Sequence, residues 1–198
     1  ELTKILSEAA EHGVNVREYS GVICSRSAIR GRTIKTGLEN LGKPGERYHV
    51  ALATDIHFGS SHCDTSALKN FLRKAKDLDC KALILTGDIL DGNKEVLLQD
   101  QRGIGWDAQA KEALATFRGW TNGPIIAIDG NHDGYFSSSV GRQSGEMLQE
   151  SARNEGYSWH YAGNCLGEFR LYGSRWQLWH PHGGASTRNA IRRILNAR

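Results

Sequence analysis

At 198 residues the chain holds one well-buried domain with room for a small appendage, but not two full-sized domains. Its 39% hydrophobic and 24% charged content excludes a disordered or fibrous protein. A formal charge of +3 permits contact with a polyanion without requiring it.

Cys24, Cys63, Cys80 and Cys165 are widely spaced and form no C-x-x-C pair, which argues against a zinc ribbon or a disulfide framework and for a reducing, cytoplasmic setting. No apolar run approaches a membrane span, and the start at Glu1 lacks a secretory peptide's apolar centre. A first residue other than Met suggests a trimmed or internal fragment.

In chain order, Leu2, Ile5, Leu6, Ala9 and Ala10 share one helical face, and His12-Gly13 supplies a stop. An irregular stretch through Ser20-Gly21 follows. Ser25 or Ser27 then caps an expected second helix carrying Ala28, Ile29, Ile34 and Leu38. Gly37, Gly42 and Pro44-Gly45 break the pattern, so residues 1–46 read as a small helical segment and 47–198 as the main domain.

From Tyr48 the chain alternates strands and helices in the manner of an α/β layered fold. Strands are expected at Tyr48–Ala53, Lys81–Leu85 and Pro124–Ile128, and helices near Ser66–Leu78, Ala108–Trp120 and Gly145–Glu155. Phe169–Tyr172 and Arg175–Trp179 read as two short strands turned through Gly173-Ser174, ahead of a basic helix from about Thr187.

Three times a hydrophobic strand ends and metal-binding side chain types begin at once: Ala51-Leu-Ala-Thr-Asp55-Ile-His57, Leu83-Ile-Leu-Thr-Gly87-Asp88-Ile-Leu-Asp91, and Ile126-Ala-Ile-Asp-Gly130-Asn131-His132-Asp133. In an open α/β sheet the carboxyl ends of neighbouring strands share an edge where ligands bind, so these residues can converge. An extended strand end would turn Asp55 and His57 to one side, toward one cation. Asp88 is a candidate bridge between two cations, and Asn131 offers an amide oxygen. His132 is a candidate to protonate a leaving alkoxide.

These motifs resemble the calcineurin-like metallophosphoesterase superfamily, whose pattern is D-x-H, G-D-x-x-D, G-N-H-D or G-N-H-E, a lone His, and G-H-x-H. The resemblance covers roughly residues 48–184. It implies a four-layer α/β/β/α sandwich, a first metal on Asp55 and His57, Asp88 as the bridge, Asn131 on the second metal, and His132 as a proton donor or phosphate-binding group, with Asp91 in support. It also implies two divalent cations, Mn²⁺ foremost, with Mg²⁺, Fe and Zn²⁺ as alternatives.

The sequence departs from the pattern at its end, because no G-H-x-H occurs. In one reading His182, within His180-Pro-His182-Gly-Gly, is the lone metal ligand, and the closing pair belongs to a missing C-terminal segment or a second chain. In the other, His180 and His182 are the closing pair and His160 is the lone ligand. The bland alternatives are a solvated loop for His62 and packing against Trp159 and Tyr161 for His160. The cysteines read as small apolar residues, with Cys63 a candidate reactive thiol beside His62 and Asp64.

Residues 24–36 carry Arg26, Arg30, Arg32 and Lys35 without an acid, and the two expected helices around them resemble a helix-turn-helix that would set these side chains on DNA phosphates. Residues 185–198 carry Arg188, Arg192, Arg193 and Arg198, read as further phosphate contacts or a solvated face. Together with a general similarity to phage-encoded or repair-type nucleases of the superfamily, they make DNA the leading substrate expectation. A phosphatase or phosphodiesterase acting on a phosphoprotein or small nucleotide is the enzymatic rival. A DNA-binding protein with an incomplete, inactive metal site is the rival of another class. No membrane partner is expected.

Overall fold

Apolar residues run without a polar break through Ala82-Leu-Ile-Leu85 and Pro124-Ile-Ile-Ala-Ile128, as strands covered on both faces require. The computed structural model describes residues 16–19, 22–25, 47–93, 99–171 and 174–181. Both runs form central strands of a four-stranded sheet. Strand β3 (Ala51–Ala53) is followed by α1 (Thr65–Asp77), β4 (Leu83–Thr86), α2 (Trp106–Phe117), β5 (Ile125–Asp129), α3 (Gly134–Val140), α4 (Ser144–Asn154) and β6 (Trp159–Asn164). The sheet order is β3-β4-β5-β6, and every neighbouring pair is parallel. A two-stranded antiparallel sheet, β7 (Leu166–Leu171) with β8 (Ser174–Trp179), completes the main domain's described strands.

The period-2 alternation of side chains divides the core in two. Ala51, Leu83, Leu85, Ile125, Ala127 and Trp159 face a layer that includes Leu72, Ala113, Phe117 and Leu148 from the helices. Ala82, Ile84, Ile126, Ile128 and Ala162 face the other way, onto Phe169 of β7 and Leu178 of β8. The described layers are thus helices, parallel sheet and second sheet, as an α/β/β/α sandwich requires. Asp64 starts α1 by accepting from Ala67 N–H at 2.9 Å, and Lys74 and Lys76 sit in its last turn, where the helix dipole favours cations.

The expected strands are all present, with shifted ends. The first is shorter than expected, because only Ala51–Ala53 joins the ladder. Two described elements of the main domain were not read from sequence: α3, beside the third motif, and β6, whose aromatic run Trp159–Tyr161 extends the parallel sheet. Ser174 belongs to β8, and Tyr172 and Gly173 lie outside the described residues.

In the N-terminal segment the stretch read as irregular is instead an antiparallel pair, β1 (Val16–Tyr19) with β2 (Val22–Ser25). Val16, Val22 and Ile23 favour strand, and only Ser20 and Gly21 separate the pair, the length of a tight hairpin connection. Ser25 therefore ends a strand. The helix expected at Leu2–Glu11, the body of the second helix with Arg26, Arg30, Arg32 and Lys35, and the basic helix from Thr187 lie outside the described residues.

Candidate metal centre

Because the sheet is parallel, β3, β4 and β5 end on one edge, and the three motifs follow those ends directly. Past the strands the first two loops stay paired: Asp55 N–H donates to Gly87 O at 3.1 Å, His57 N–H to Asp88 O at 3.0 Å and Phe58 N–H to Ile89 O at 2.8 Å. The third loop is tied to the second by Asp133, a fully buried carboxylate. It accepts from Ile89 N–H at 3.1 Å, Leu90 N–H at 2.8 Å and Gly130 N–H at 2.8 Å. Burial pushes Asp133 up to about 6 against the pull of these donors. Behind it, burial and the charge of Asp133 drive Asp129 well above the carboxylate range, and Tyr161 O–H donates to it at 2.8 Å.

Among the described residues, two groups of ligand-type side chains meet at this edge. His57, Asp88 and His132 form one and Asp55, Asp88 and His180 the other, each with donor atoms within 4.8 Å of one another. Asp88 is common to both. Its carboxylate is buried, with Oδ2 3.7 Å from His57 Nε2 and 3.3 Å from His180 Nε2, while Oδ1 accepts from His132 N–H at 2.8 Å. Asn131 joins the second group, its Oδ1 3.2 Å from His180 Nε2.

The imidazoles share one arrangement. His57 Nδ1–H donates to Asp91 Oδ1 at 3.1 Å, His132 Nδ1–H to Asp91 O at 2.7 Å, and His180 Nδ1–H to Thr86 O at 2.8 Å. Each ring thereby commits Nδ1 to the protein and leaves Nε2 for the site, the tautomer control found around bound metals. Asp91 is itself held by Gln101 Nε2–H at 3.0 Å, and Gln101 also donates to Gly92 O at 2.6 Å.

Backbone conformation is unusual here. Of five described non-glycine residues with positive φ, three are Asp55 (52°), His57 (55°) and Asp88 (49°). Such left-handed residues cost about 1–3 kcal/mol each where side chains disfavour them and concentrate at functional sites. The strand end expected to be extended is not: both Asp55 and His57 are left-handed, and they fall into different groups. The loop bends because its backbone follows the Gly87–Ile89 segment. Gly87 (φ 98°) is needed twice over, since a Cβ there would also stand 2.5 Å from His180 Nδ1. A Cβ on Gly130 would overlap both the carboxylate and the backbone N of Asp88.

Electrostatics fit a charged pair. Burial pushes Asp88 up, but its contacts with His180 and His132 outweigh that and hold it below its ordinary value. Burial likewise pulls His180 down, but the facing Asp88 leaves it above its ordinary value.

Other sequence-level candidates are placed elsewhere. His160 lies in β6 at the register of Ile126, before the strand ends, with Nε2 3.2 Å from Ser158 Oγ, and joins neither group. His62 is exposed, and His182 lies outside the described residues, so the histidine of the His-Pro-His run seen in the site is His180. Burial, then the charge of Glu112, pushes the Cys63 thiol up, which argues against the reactive thiolate considered for it. Asp133 and Gln101 were missed as site-building residues; only the closing Asp of the third motif gave a signal.

Two mixed oxygen–nitrogen donor sets sharing one buried carboxylate fit divalent cations of the Mn, Fe or Zn kind, and Mg²⁺ through the oxygens. The fold and this edge therefore define a metal-dependent hydrolase. A model of the calcineurin-like phosphoesterase family matches residues 48–197, and the chain belongs to that family. It is accordingly a metal-dependent hydrolase of phosphoester bonds. Among curated proteins no sequence matches the chain. Among the described residues no helix is long and apolar enough to cross a membrane.

Proposed function

We propose that the chain is a dinuclear phosphodiesterase acting on DNA, with Mn²⁺ as the working cation. The observation that carries the dinuclear reading is the membership of Asp88 in both ligand groups. His57 and Asp88 would hold one cation; Asp55, Asp88, Asn131 and His180 the other, with His182 as the further ligand proposed from sequence. When bound, the cations supply Lewis acidity, withdrawing charge from the phosphoryl oxygens and easing deprotonation of the attacking water.

The chain's own groups do the rest. Asp91 and Thr86 O fix the imidazole tautomers, and Asp133 keeps the second and third motifs in register. His132 is assigned the proton for the leaving alkoxide. Its side chain is half-buried, and its Nδ1–H donates to Asp91 O at 2.7 Å, which leaves Nε2 as the atom for that transfer. DNA as substrate is supported by the basic run Arg26, Arg30, Arg32 and Lys35. Action on a phosphoprotein or small nucleotide is a second reading, favoured by His182-Gly183-Gly184, which is similar to the His-Gly-Gly of phosphoprotein phosphatases.

Hydrolysis of single- and double-stranded DNA, bis-p-nitrophenyl phosphate and p-nitrophenyl phosphate under Mn²⁺, Mg²⁺, Fe²⁺ and Zn²⁺ tests these assignments. Cleavage of DNA and the diester above the monoester is expected. Monoester preference without DNA cleavage favours the second reading, and salt-sensitive DNA binding without hydrolysis under any metal favours a binding protein. Deleting residues 1–46 is expected to remove DNA affinity while diester hydrolysis persists; persistent affinity would refute the role of the basic run.

A further inference from the structure

Leu178 of β8 is buried in the core between the two sheets, and His180, two residues on, is buried against Asp88. Trp179, between them, faces the other way by strand alternation and is 39% exposed. Trp179 nevertheless lines an open cleft of about 470 Å³, with Pro181 beside it and Asp55, Asp88, Asn131 and His180 among the other lining residues. Of the four large apolar side chains exposed among the described residues, Leu52, Leu78, Ile104 and Trp179, it alone lines this cleft.

The cleft's lining therefore combines polar groups suited to a phosphoryl centre with a tryptophan, a residue that carries a large π face, one position along the chain from a candidate ligand. Neither the metal groups nor the proton donor uses that face. A phosphate and a flat aromatic group in one substrate are the two ends of a nucleotide, and a tryptophan face accepts any base by stacking. A base inside a duplex is already stacked and cannot offer its face, so the partner must be unpaired. We infer that Trp179 is a stacking platform for the base flanking the scissile phosphate, making the preferred substrate an unpaired nucleotide diester, at single strands or frayed ends. This rests on the phosphodiesterase reading above and narrows it.

Two p-nitrophenyl diesters with the same leaving group, thymidine 5′-(p-nitrophenyl phosphate) and methyl p-nitrophenyl phosphate, isolate the contribution of the base. The wild type is expected to favour the thymidine ester in kcat/KM. W179A should cut that preference by about tenfold, the scale of one base–aromatic stack. W179F should keep most of it, and W179L, which retains apolar bulk on β8 without a π face, should behave as W179A. An equal loss on both esters would mean that Trp179 merely supports His180 and would overturn the inference, as would an unchanged preference. Fluorescence anisotropy with oligothymidylate and a duplex hairpin in EDTA supplies a readout independent of turnover: W179L should weaken single-strand binding about tenfold and lower the single-strand to duplex ratio. Should the wild type hydrolyse neither ester, the phosphodiesterase reading fails on its own, and the anisotropy arm still decides the platform: a single-strand preference lost in W179L upholds it. Absence of that preference in the wild type, or its survival in W179L, overturns it. Hydrolysis of both esters without thymidine preference leaves the hydrolase standing and removes the platform.

Discussion

Asp91 touches no ligand group except through the histidines, so Asp91→Asn isolates what orientation contributes. The carboxylate is buried, and its two oxygens each take a different donor: Oδ1 accepts from His57 Nδ1–H at 3.1 Å and Oδ2 from Gln101 Nε2–H at 3.0 Å. An asparagine amide has one acceptor oxygen and one NH₂, so in either orientation a donor faces a donor. If His57 loses its acceptor, its tautomer is no longer fixed and Nε2 is no longer held free for a cation. A buried donor left unpaired costs about 1–3 kcal/mol. That matches the roughly 10- to 100-fold loss of metal affinity seen when an orienting partner of a histidine ligand is removed.

The variant should therefore need about 10- to 100-fold more Mn²⁺ for half-maximal hydrolysis, with a smaller loss of kcat once metal is saturating. Calorimetric Mn²⁺ titration without substrate should show the same weakening. Asp91 O, which accepts from His132, is retained in the variant, so dependence on leaving-group basicity should stay as in the wild type. A half-saturating Mn²⁺ concentration within about threefold of wild type would refute the orienting role.

Gly130→Ala should abolish hydrolysis, because the added Cβ meets the Asp88 carboxylate and backbone and only a loop shift relieves it; urea unfolding should record a loss of about 1–3 kcal/mol, and wild-type turnover would refute the packing argument. The His180–Asp88 pair gives the metal-free protein a characteristic pH response. The lowered Asp88 contributes stability above its unfolded value of about 3.9, and the raised His180 contributes below its unfolded value of about 6.5 and loses it as pH rises through the higher folded value. The Tm of EDTA-treated protein should thus decline from about pH 6.5 upward, and His180→Ala should flatten that decline; an unchanged slope in the variant contradicts the pairing. Mn²⁺ at about 100 times its dissociation constant should add about 2.7 kcal/mol of stability per bound cation near pH 8. No shift of the melting curve on chelation would contradict a bound metal.

The three strand-end motifs were legible because parallel strands buried on both faces read as unbroken apolar runs, and the first polar residues after them must gather at one sheet edge. What sequence could not supply was the path of the loops. Asp55 and His57 look like neighbours on an extended strand, but their backbone pairs with Gly87 and Asp88, both are left-handed, and they fall into different ligand groups. Asp133 reads as a motif letter; its three N–H donors come from two loops about 40 residues apart in sequence, which no local pattern encodes. For His180 the signal was present: alternation from the buried Leu178 points Trp179 outward and His180 inward. Strand β6 was hidden because Trp159-His160-Tyr161 reads as an aromatic cluster around a histidine, although Trp159 is the wholly buried core residue at the start of that strand.

The central claim is that one carboxylate, Asp88, serves two cations at a phosphoester-hydrolysing site. Metal content by plasma mass spectrometry after Mn²⁺ loading and desalting, measured together with Mn²⁺-dependent hydrolysis of bis-p-nitrophenyl phosphate, tests it in wild type and Asp88→Asn. Two equivalents per chain in the wild type are expected, with loss of at least one equivalent and of about 100-fold or more in kcat/KM in the variant, the scale of losing several kcal/mol of transition-state stabilisation. Full occupancy and unchanged hydrolysis in Asp88→Asn would contradict it.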